Sequence, residues 1–120
     1  MKRLTIRQAR VGDLLKQTIA ELILRRVKDP RVEGVIITEV EVSVDLKLAH
    51  VYFCIHDADR IAAAHEGLER AEGFLHRELL KTLRMKTVPR LSFSYDPSFD
   101  YGSRIDEILD GIAHDKDPHR

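Results

Sequence analysis

Apolar residues recur at three- and four-residue intervals over residues 5 to 27, which is the spacing of an amphipathic helix. The predicted helix has Thr5 as its N-cap. It ends at Lys28-Asp29-Pro30-Arg31, because a residue before proline avoids the α region and proline cannot donate a backbone hydrogen bond. Its apolar stripe consists of Val11, Leu14, Leu15, Thr18, Ile19 and Leu22.

Three later stretches alternate between apolar and polar residues, as half-buried strands do. The first covers residues 35 to 44 and the second begins at Ala49, and the short turn Asp45-Leu46-Lys47 between them predicts an antiparallel hairpin. The third follows Pro89. The predicted inward residues are Ile36, Thr38, Val40, Val42 and Val44, then Ala49, Val51, Phe53 and Ile55, then Leu91, Phe93 and Tyr95.

A second helical stretch runs from Ile61 to about Lys86, with Leu68, Ala71, Leu75, Leu79 and Leu83 on one side. Basic residues follow the same spacing about half a turn away. Gly73 in the middle of this helix costs ~1 kcal/mol relative to alanine and therefore predicts a bend or a close backbone approach. We expect a helix–kink–helix arrangement with its break at residues 71 to 73.

A last helix is predicted through Ile105, Ile108, Leu109 and Ile112. The resulting fold class is α+β, with a three-stranded sheet whose helices all lie on one face. Residues 1–113 are expected to form a single domain, and residues 114–120 are expected to fray as a tail. The order of elements resembles that of a bacterial-type (type II) KH domain, which binds RNA.

The net charge is zero, but the charges are unevenly distributed along the chain. Residues 1 to 31 have a balance of +6 and residues 70 to 90 a balance of +4, whereas residues 91 to 120 have −4. Two basic segments favour a protein with one face toward a polyanion. There is no signal-peptide core or long apolar run, so we expect a cytoplasmic protein without a membrane partner. The lone Cys54 is expected to be a buried, inert thiol.

Several short segments, in the right order along nearly the whole chain, resemble the ribosome-binding factor A family. They are Lys28-Asp29-Pro30-Arg31, Val40 through Asp45-Leu46, Ala49-His50-Val51-Tyr52, Ala71-Glu72-Gly73-Phe74-Leu75, Val88-Pro89-Arg90-Leu91-Ser92-Phe93, Tyr95-Asp96 and Ser98. In that family an Ala-x-Gly kink replaces the Gly-x-x-Gly phosphate loop of KH domains, and Ala71-Glu72-Gly73 is similar to it. His76 stands where the family commonly has arginine.

The resemblance implies a non-enzymatic factor, without a cofactor or metal, that binds the immature small ribosomal subunit and assists maturation and processing of its ribosomal RNA. It also implies release by a GTPase or by late assembly steps, and we expect a monomer. Phosphates would be neutralised by basic side chains, and the backbone near Gly73 would approach the strand. The predicted RNA-binding residues are Arg3, Arg7, Arg10, Arg70, Ala71, Gly73, His76, Arg77, Lys81, Arg84 and Lys86.

Two other classes of function compete with RNA binding. An enzyme is disfavoured because no nucleophile or metal motif occurs, and because His50, Cys54 and His56 on one strand are too far apart to converge on an ion. A protein-interaction module that binds an acidic partner through the basic helices stays open, and salt dependence would distinguish it from RNA binding. Phe53 and Phe93 are expected in the core rather than under stacked bases.

Overall fold

The computed structural model describes residues 4–98, which form an α+β fold as predicted. The predicted terminal helix and the tail at residues 114–120 lie outside the described residues. The helices are α1 and α2, the strands are β1, β2 and β3, and two short 3₁₀ turns precede β1 and α2. In chain order the elements are α1 Ile6–Arg26, the turn Pro30–Val32, β1 Ile36–Val42, β2 Leu48–Cys54, the turn Ala58–Arg60, α2 Ile61–Thr82 and β3 Arg90–Tyr95.

Helix α1 begins with the predicted cap. The Thr5 side chain accepts a hydrogen bond from the Gln8 backbone N–H, and the Gln8 side chain accepts one from the Thr5 N–H, which forms a capping box. Gln8 also donates to the Val42 carbonyl at 2.8 Å, so the start of α1 is tied to the end of β1. The chain leaves the turn Pro30–Val32 through Gly34, whose φ of 85° is a left-handed conformation that glycine adopts without strain.

The sheet has the order β1-β2-β3. The predicted antiparallel hairpin of β1 and β2 is confirmed. Strand β3 pairs with β2 in parallel, so α2 is the crossover that returns the chain to the end of the sheet where β2 begins. Helix α1 packs on β1 and α2 packs on β3, and both cover the same apolar face.

The alternation predicted for β1 is wrong at its first residues. Between Ile37 and Glu39 the pairing with β2 shifts by one residue, and this bulge at Thr38 reverses the faces of the residues before it. Ile37 is therefore buried, while Ile36 is 53% exposed. Val44 lies beyond the strand and is also exposed. The Thr38 hydroxyl donates to the Asp96 carboxylate at 2.6 Å, which ties the bulge to the end of β3.

The buried residues of α1, α2 and the sheet form one core. Phe53 and Phe93 are almost fully buried in it, as predicted. Two glycines allow the helices to pack closely on neighbouring elements. A Cβ at Gly12 of α1 would lie 2.8 Å from the Val40 carbonyl oxygen of β1, and a Cβ at Gly67 of α2 would lie 2.9 Å from Val32 Cγ1.

Helix α2 is not broken at residues 71 to 73, and the predicted division into two helices is wrong. It continues from Ile61 to Thr82 as a single α-helix and ends before the predicted Lys86. The physical reason is the buried stripe of Leu68, Leu75 and Leu79, which packs on the sheet on both sides of Gly73 and outweighs the low helix propensity of one glycine. Gly73 itself has no left-handed φ.

Candidate nucleic-acid interface

A groove with a mostly basic lining follows the line where α1 and α2 meet, and we call it the helical seam. It consists of three clefts, which pair the start of α1 with the segment after α2, the middle of α1 with the end of α2, and the end of α1 with the middle of α2. The two helices therefore run in opposite directions along the seam. Its basic lining residues are Arg7, Arg10, Arg25, Arg26, Lys28, Arg31, Arg70, Arg84 and Lys86.

The first cleft is the largest of the three, at about 650 Å³. Four predicted RNA-binding residues line it: Arg7 and Arg10 come from α1, and Arg84 and Lys86 come from the segment after α2. These pairs are separated by more than seventy positions in the sequence, and the opposite direction of the helices brings them together. The first cleft is thus a concentrated positive site.

The second cleft lies between the later half of α1 and Thr82. It is lined by Arg25 and Arg26 and by one acid, Glu21. Arg26 extends toward α2, where it forms an ion pair with Glu78 at 3.2 Å and lies 5.7 Å from the centre of the Phe74 ring. Arg26 also lines the third cleft, so the second and third clefts are adjacent.

The third cleft joins the segment after α1 to the middle of α2, and it is lined by Arg70 and Ala71, two of the predicted RNA-binding residues. Asp29 is the acid here, and it accepts hydrogen bonds from the Arg31 guanidinium at 2.7 and 3.1 Å. These bonds hold the pKa of Asp29 below its usual value and raise the pKa of Arg31. The carboxylate is thus paired, and Lys28 and Arg70 give the cleft its positive charge.

Gly73 lies on α2 with open space beside it. A Cβ there would meet only the far end of the Arg77 side chain, at 3.4 Å. Nothing in the described part of the chain requires glycine at this position. Gly12 and Gly67 differ, because other atoms of the fold lie too close to them for a Cβ. The close-approach interpretation of Gly73 therefore stays a prediction about a ligand and not about the fold.

Glu72 and His76 point from α2 to the beginning of β3. The Glu72 carboxylate pairs with the Arg90 guanidinium and accepts the Leu91 backbone N–H at 3.0 Å. His76 Nε2 lies 3.0 Å from the Val88 carbonyl oxygen and donates to it, and His76 Nδ1 lies 3.4 Å from an Arg90 nitrogen. Both ring nitrogens of His76 thus have partners within the fold, and we regard His76 as a residue that positions β3.

Replacing Glu72 with alanine is expected to lower the free energy of unfolding by about 1–2 kcal/mol, because the Leu91 N–H loses its acceptor. The same change at Glu69, on the same helix and 61% exposed, should have an effect within about 0.5 kcal/mol. Urea unfolding of the two variants measures the difference. Equal stabilities would mean that the Glu72 contacts do not hold β3.

The predicted site residues fall into several places. The seam collects Arg7, Arg10, Arg70, Ala71, Arg84 and Lys86. Arg77 and Lys81 are exposed on α2 but line none of the three clefts, and Lys81 pairs with Glu78 at 3.5 Å. Arg3 lies outside the described residues. The sequence interpretation missed Arg25, Arg26, Lys28 and Arg31, although the matching segment Lys28-Asp29-Pro30-Arg31 and the charge of residues 1 to 31 pointed to them.

A metal site and a reactive thiol are two features that an enzyme could use, and the described residues bear on both. Over residues 4–98 no group of histidine, cysteine and acidic side chains could hold a metal ion. Cys54 is fully buried, as predicted, and burial raises the pKa of its thiol to about 11, so the nucleophilic thiolate is disfavoured. In the same part of the chain, neither helix has the length and apolarity needed to cross a membrane.

A mixed three-stranded sheet with two helices on one face and a basic groove between them defines the class as KH-like α+β. Comparison with known proteins identifies the family. The family model described as "Ribosome-binding factor A" matches residues 7–109, and ribosome-binding factor A of Syntrophobacter fumaroxidans is 47% identical over 86% of this chain and 91% of its own length. The chain therefore belongs to the ribosome-binding factor A family.

Further relatives agree with this assignment. Ribosome-binding factor A of Macrococcus caseolyticus is 39% identical over 94% of this chain and 100% of its own length. The crystal structure of ribosome-binding factor A from Thermus thermophilus has a TM-score of 0.66 at 30% identity and covers 73% of this chain and 93% of that chain. A homology model of the Thermus thermophilus factor, fitted into a cryo-electron microscopy map of its complex with the 30S subunit, has a TM-score of 0.55 at 30% identity and covers 69% and 88%.

Proposed function

We propose that this chain binds the small ribosomal subunit by placing its helical seam against ribosomal RNA. It would act in the cytoplasm as a non-enzymatic assembly factor that assists maturation of that RNA. Membership in the ribosome-binding factor A family and the likeness to the Thermus factor fitted into a 30S complex support the small subunit as the partner. Release by a GTPase stays a prediction that rests on the family resemblance.

The observation that carries the proposal is the charge of the seam. Basic side chains line all three clefts, so phosphates of an RNA backbone would find a cation at each of them. Among the described residues only three acids line the clefts, and two of them have local partners: Asp29 pairs with Arg31, and Asp45 accepts hydrogen bonds from Ser43 and Lys47. In the described part of the chain, the three clefts thus present nine basic side chains against three acids to an approaching RNA.

The opposite side of the molecule supports the same orientation. On the face of the sheet away from α1 and α2, Glu39 and Glu41 are exposed and the Tyr52 hydroxyl donates to Glu41 at 3.4 Å. Burial, and then the charge of Glu41, raises the pKa of Tyr52, so its hydroxyl stays protonated. An acidic sheet face repels phosphates. Ribosomal RNA would therefore lie on the helix side, and not on the sheet.

The proposal is tested by sedimenting the protein with purified immature small subunits, and with large subunits as the control, over a series of salt concentrations. Each phosphate contact contributes about −0.7 to −0.9 to the slope of log affinity against log salt. We expect binding to small subunits alone, and a slope of log affinity against log salt of about −3 or steeper. Equal binding to both subunits, or affinity that does not change with salt, would contradict the proposal and favour the alternative of an acidic protein partner.

A further inference from the structure

The first cleft differs from the other two because a larger share of its exposed lining is apolar, and we call these apolar lining residues its floor. Leu14 is 43% exposed on α1 and Val44 is 81% exposed in the hairpin turn, and both line this cleft together with Val11, Leu46 and Met85. Exposed apolar surface inside a cationic rim does not improve phosphate binding, since phosphates prefer polar partners. The floor therefore indicates a ligand that has an apolar part as well as an anionic one.

The turn between β1 and β2 is built to hold Leu46 in this cleft. Leu46 has a φ of 61°, a left-handed conformation that is strained for leucine and is ordinarily adopted by glycine or asparagine. Asp45 stabilises the turn by accepting hydrogen bonds from the Ser43 hydroxyl at 2.7 Å and from the Lys47 N–H at 3.0 Å. These bonds, the one from Ser43 first, hold the pKa of Asp45 below its usual value. A strained leucine at a cleft floor is typical of a functional position.

RNA offers both parts of the required ligand. In a duplex the bases are stacked inside and only the phosphates reach a protein groove, whereas an unpaired nucleotide can present its base to apolar side chains while its phosphates meet cations. At about 650 Å³ the first cleft is within the size range of pockets for small molecules. Arg7 and Arg10 on one side and Lys86 on the other would contact the flanking phosphates.

We propose that the first cleft binds one unpaired nucleotide of the RNA, with its base on the floor formed by Leu14 and Leu46. This inference rests on the proposed RNA-binding function and adds a preference to it. The seam as a whole would hold the sugar-phosphate backbone of any RNA, and the first cleft would distinguish RNA with an unstacked base from a regular duplex.

The test compares two RNA hairpins that differ only by one bulged nucleotide, with 2-aminopurine at the bulge as a fluorescent probe. We expect the wild-type chain to bind the bulged hairpin about tenfold more tightly, because contact of the base with Leu14 and Leu46 removes apolar surface from water. Leu14→Ser should remove this preference, so that the variant binds the two hairpins with equal affinity. Leu24→Ser is the control, because Leu24 is 81% exposed on the same helix and lines none of the seam clefts.

Leu46→Gly provides a second variant that should fold, because glycine adopts the positive φ without strain. It should also lose the preference for the bulge.

If Leu14→Ser and Leu46→Gly both keep the preference, or if the wild type has none, the proposed nucleotide site is wrong, while the basic seam can still bind RNA. If an acidic amphipathic peptide binds the wild type, and the Leu14 variant loses peptide binding but keeps the preference for the bulged hairpin, the cleft binds protein and the proposal is overturned. Failure of the wild type to bind either hairpin or small subunits would instead reject the proposed function.

Discussion

Reversing Arg10 and Arg70 to glutamate is expected to weaken binding to small ribosomal subunits by about 50-fold at 0.1 M salt, since each lost phosphate contact removes roughly 0.9 from the salt slope. The two residues line the first and third clefts, at opposite ends of the seam. Both are exposed, so the fold should tolerate the change with an effect within about 0.5 kcal/mol on the free energy of unfolding. Co-sedimentation over a salt series measures the affinity and the slope together.

The matched control reverses Lys16 and Lys47, which alters the net charge by the same amount. Lys16 is on α1 and Lys47 is in the hairpin turn, and neither lines a cleft of the seam. We expect this double variant to bind within about threefold of the wild type, as a change in long-range attraction would cause. Equal losses in the two double variants would mean that total charge governs binding and that the seam is not the interface.

Replacing Gly12 with alanine is expected to lower the free energy of unfolding by about 2 kcal/mol, because the added carbon would lie 2.8 Å from the Val40 carbonyl oxygen. The atom it meets belongs to a backbone in the sheet and cannot rotate away. Helix α1 would have to move off β1, which opens the core above Val42 and Leu15. For a chain of this size the midpoint of thermal unfolding should fall by roughly 10 °C.

The same substitution at Gly73 should have the opposite sign. A Cβ there meets only the end of the Arg77 side chain, so alanine should raise the free energy of unfolding by about 0.5–1 kcal/mol through its higher helix propensity. If RNA approaches the α2 backbone at this point, Gly73→Ala should also weaken subunit binding while the protein becomes more stable. A loss of stability at Gly73, or no loss at Gly12, would contradict the packing described for the two helices.

The elements of the fold were predictable from the sequence because each strand and helix has its own periodicity. The hairpin, the third strand, the N-cap at Thr5 and the buried Phe53 and Phe93 all follow from local pattern and are confirmed. The bulge at Thr38 was not predictable, because Ile36 and Ile37 are equally apolar and either could face the core. The unbroken α2 was missed because the packing of leucines on both sides of Gly73 is a tertiary effect.

The candidate site was only half predictable. Charge runs and spacing identified Arg7, Arg10, Arg70 and Lys86 as candidates. They did not indicate that these residues line two separate clefts, the first and the third. Arg26 and Lys28 join Arg70 only because the end of α1 meets the middle of α2, and a single sequence does not reveal which helices are neighbours. His76 lies on the same helix as the basic residues, and its contact with the Val88 carbonyl could not be predicted because it depends on how α2 packs beside β3.

The parallel pairing of β3 with β2 has a consequence for the time course of folding. The β1–β2 hairpin joins residues that are close in sequence, so it can form early. Arg90 can pair with Leu48 only after the whole of α2 has been synthesised. Closing that long loop carries an entropic cost before any contact offsets it. The contacts from Glu72 and His76 that hold α2 to β3 also form only at that stage, so α2 reaches its final position beside α1 late. A nascent chain would therefore lack the complete basic groove until β3 has left the ribosome that makes it.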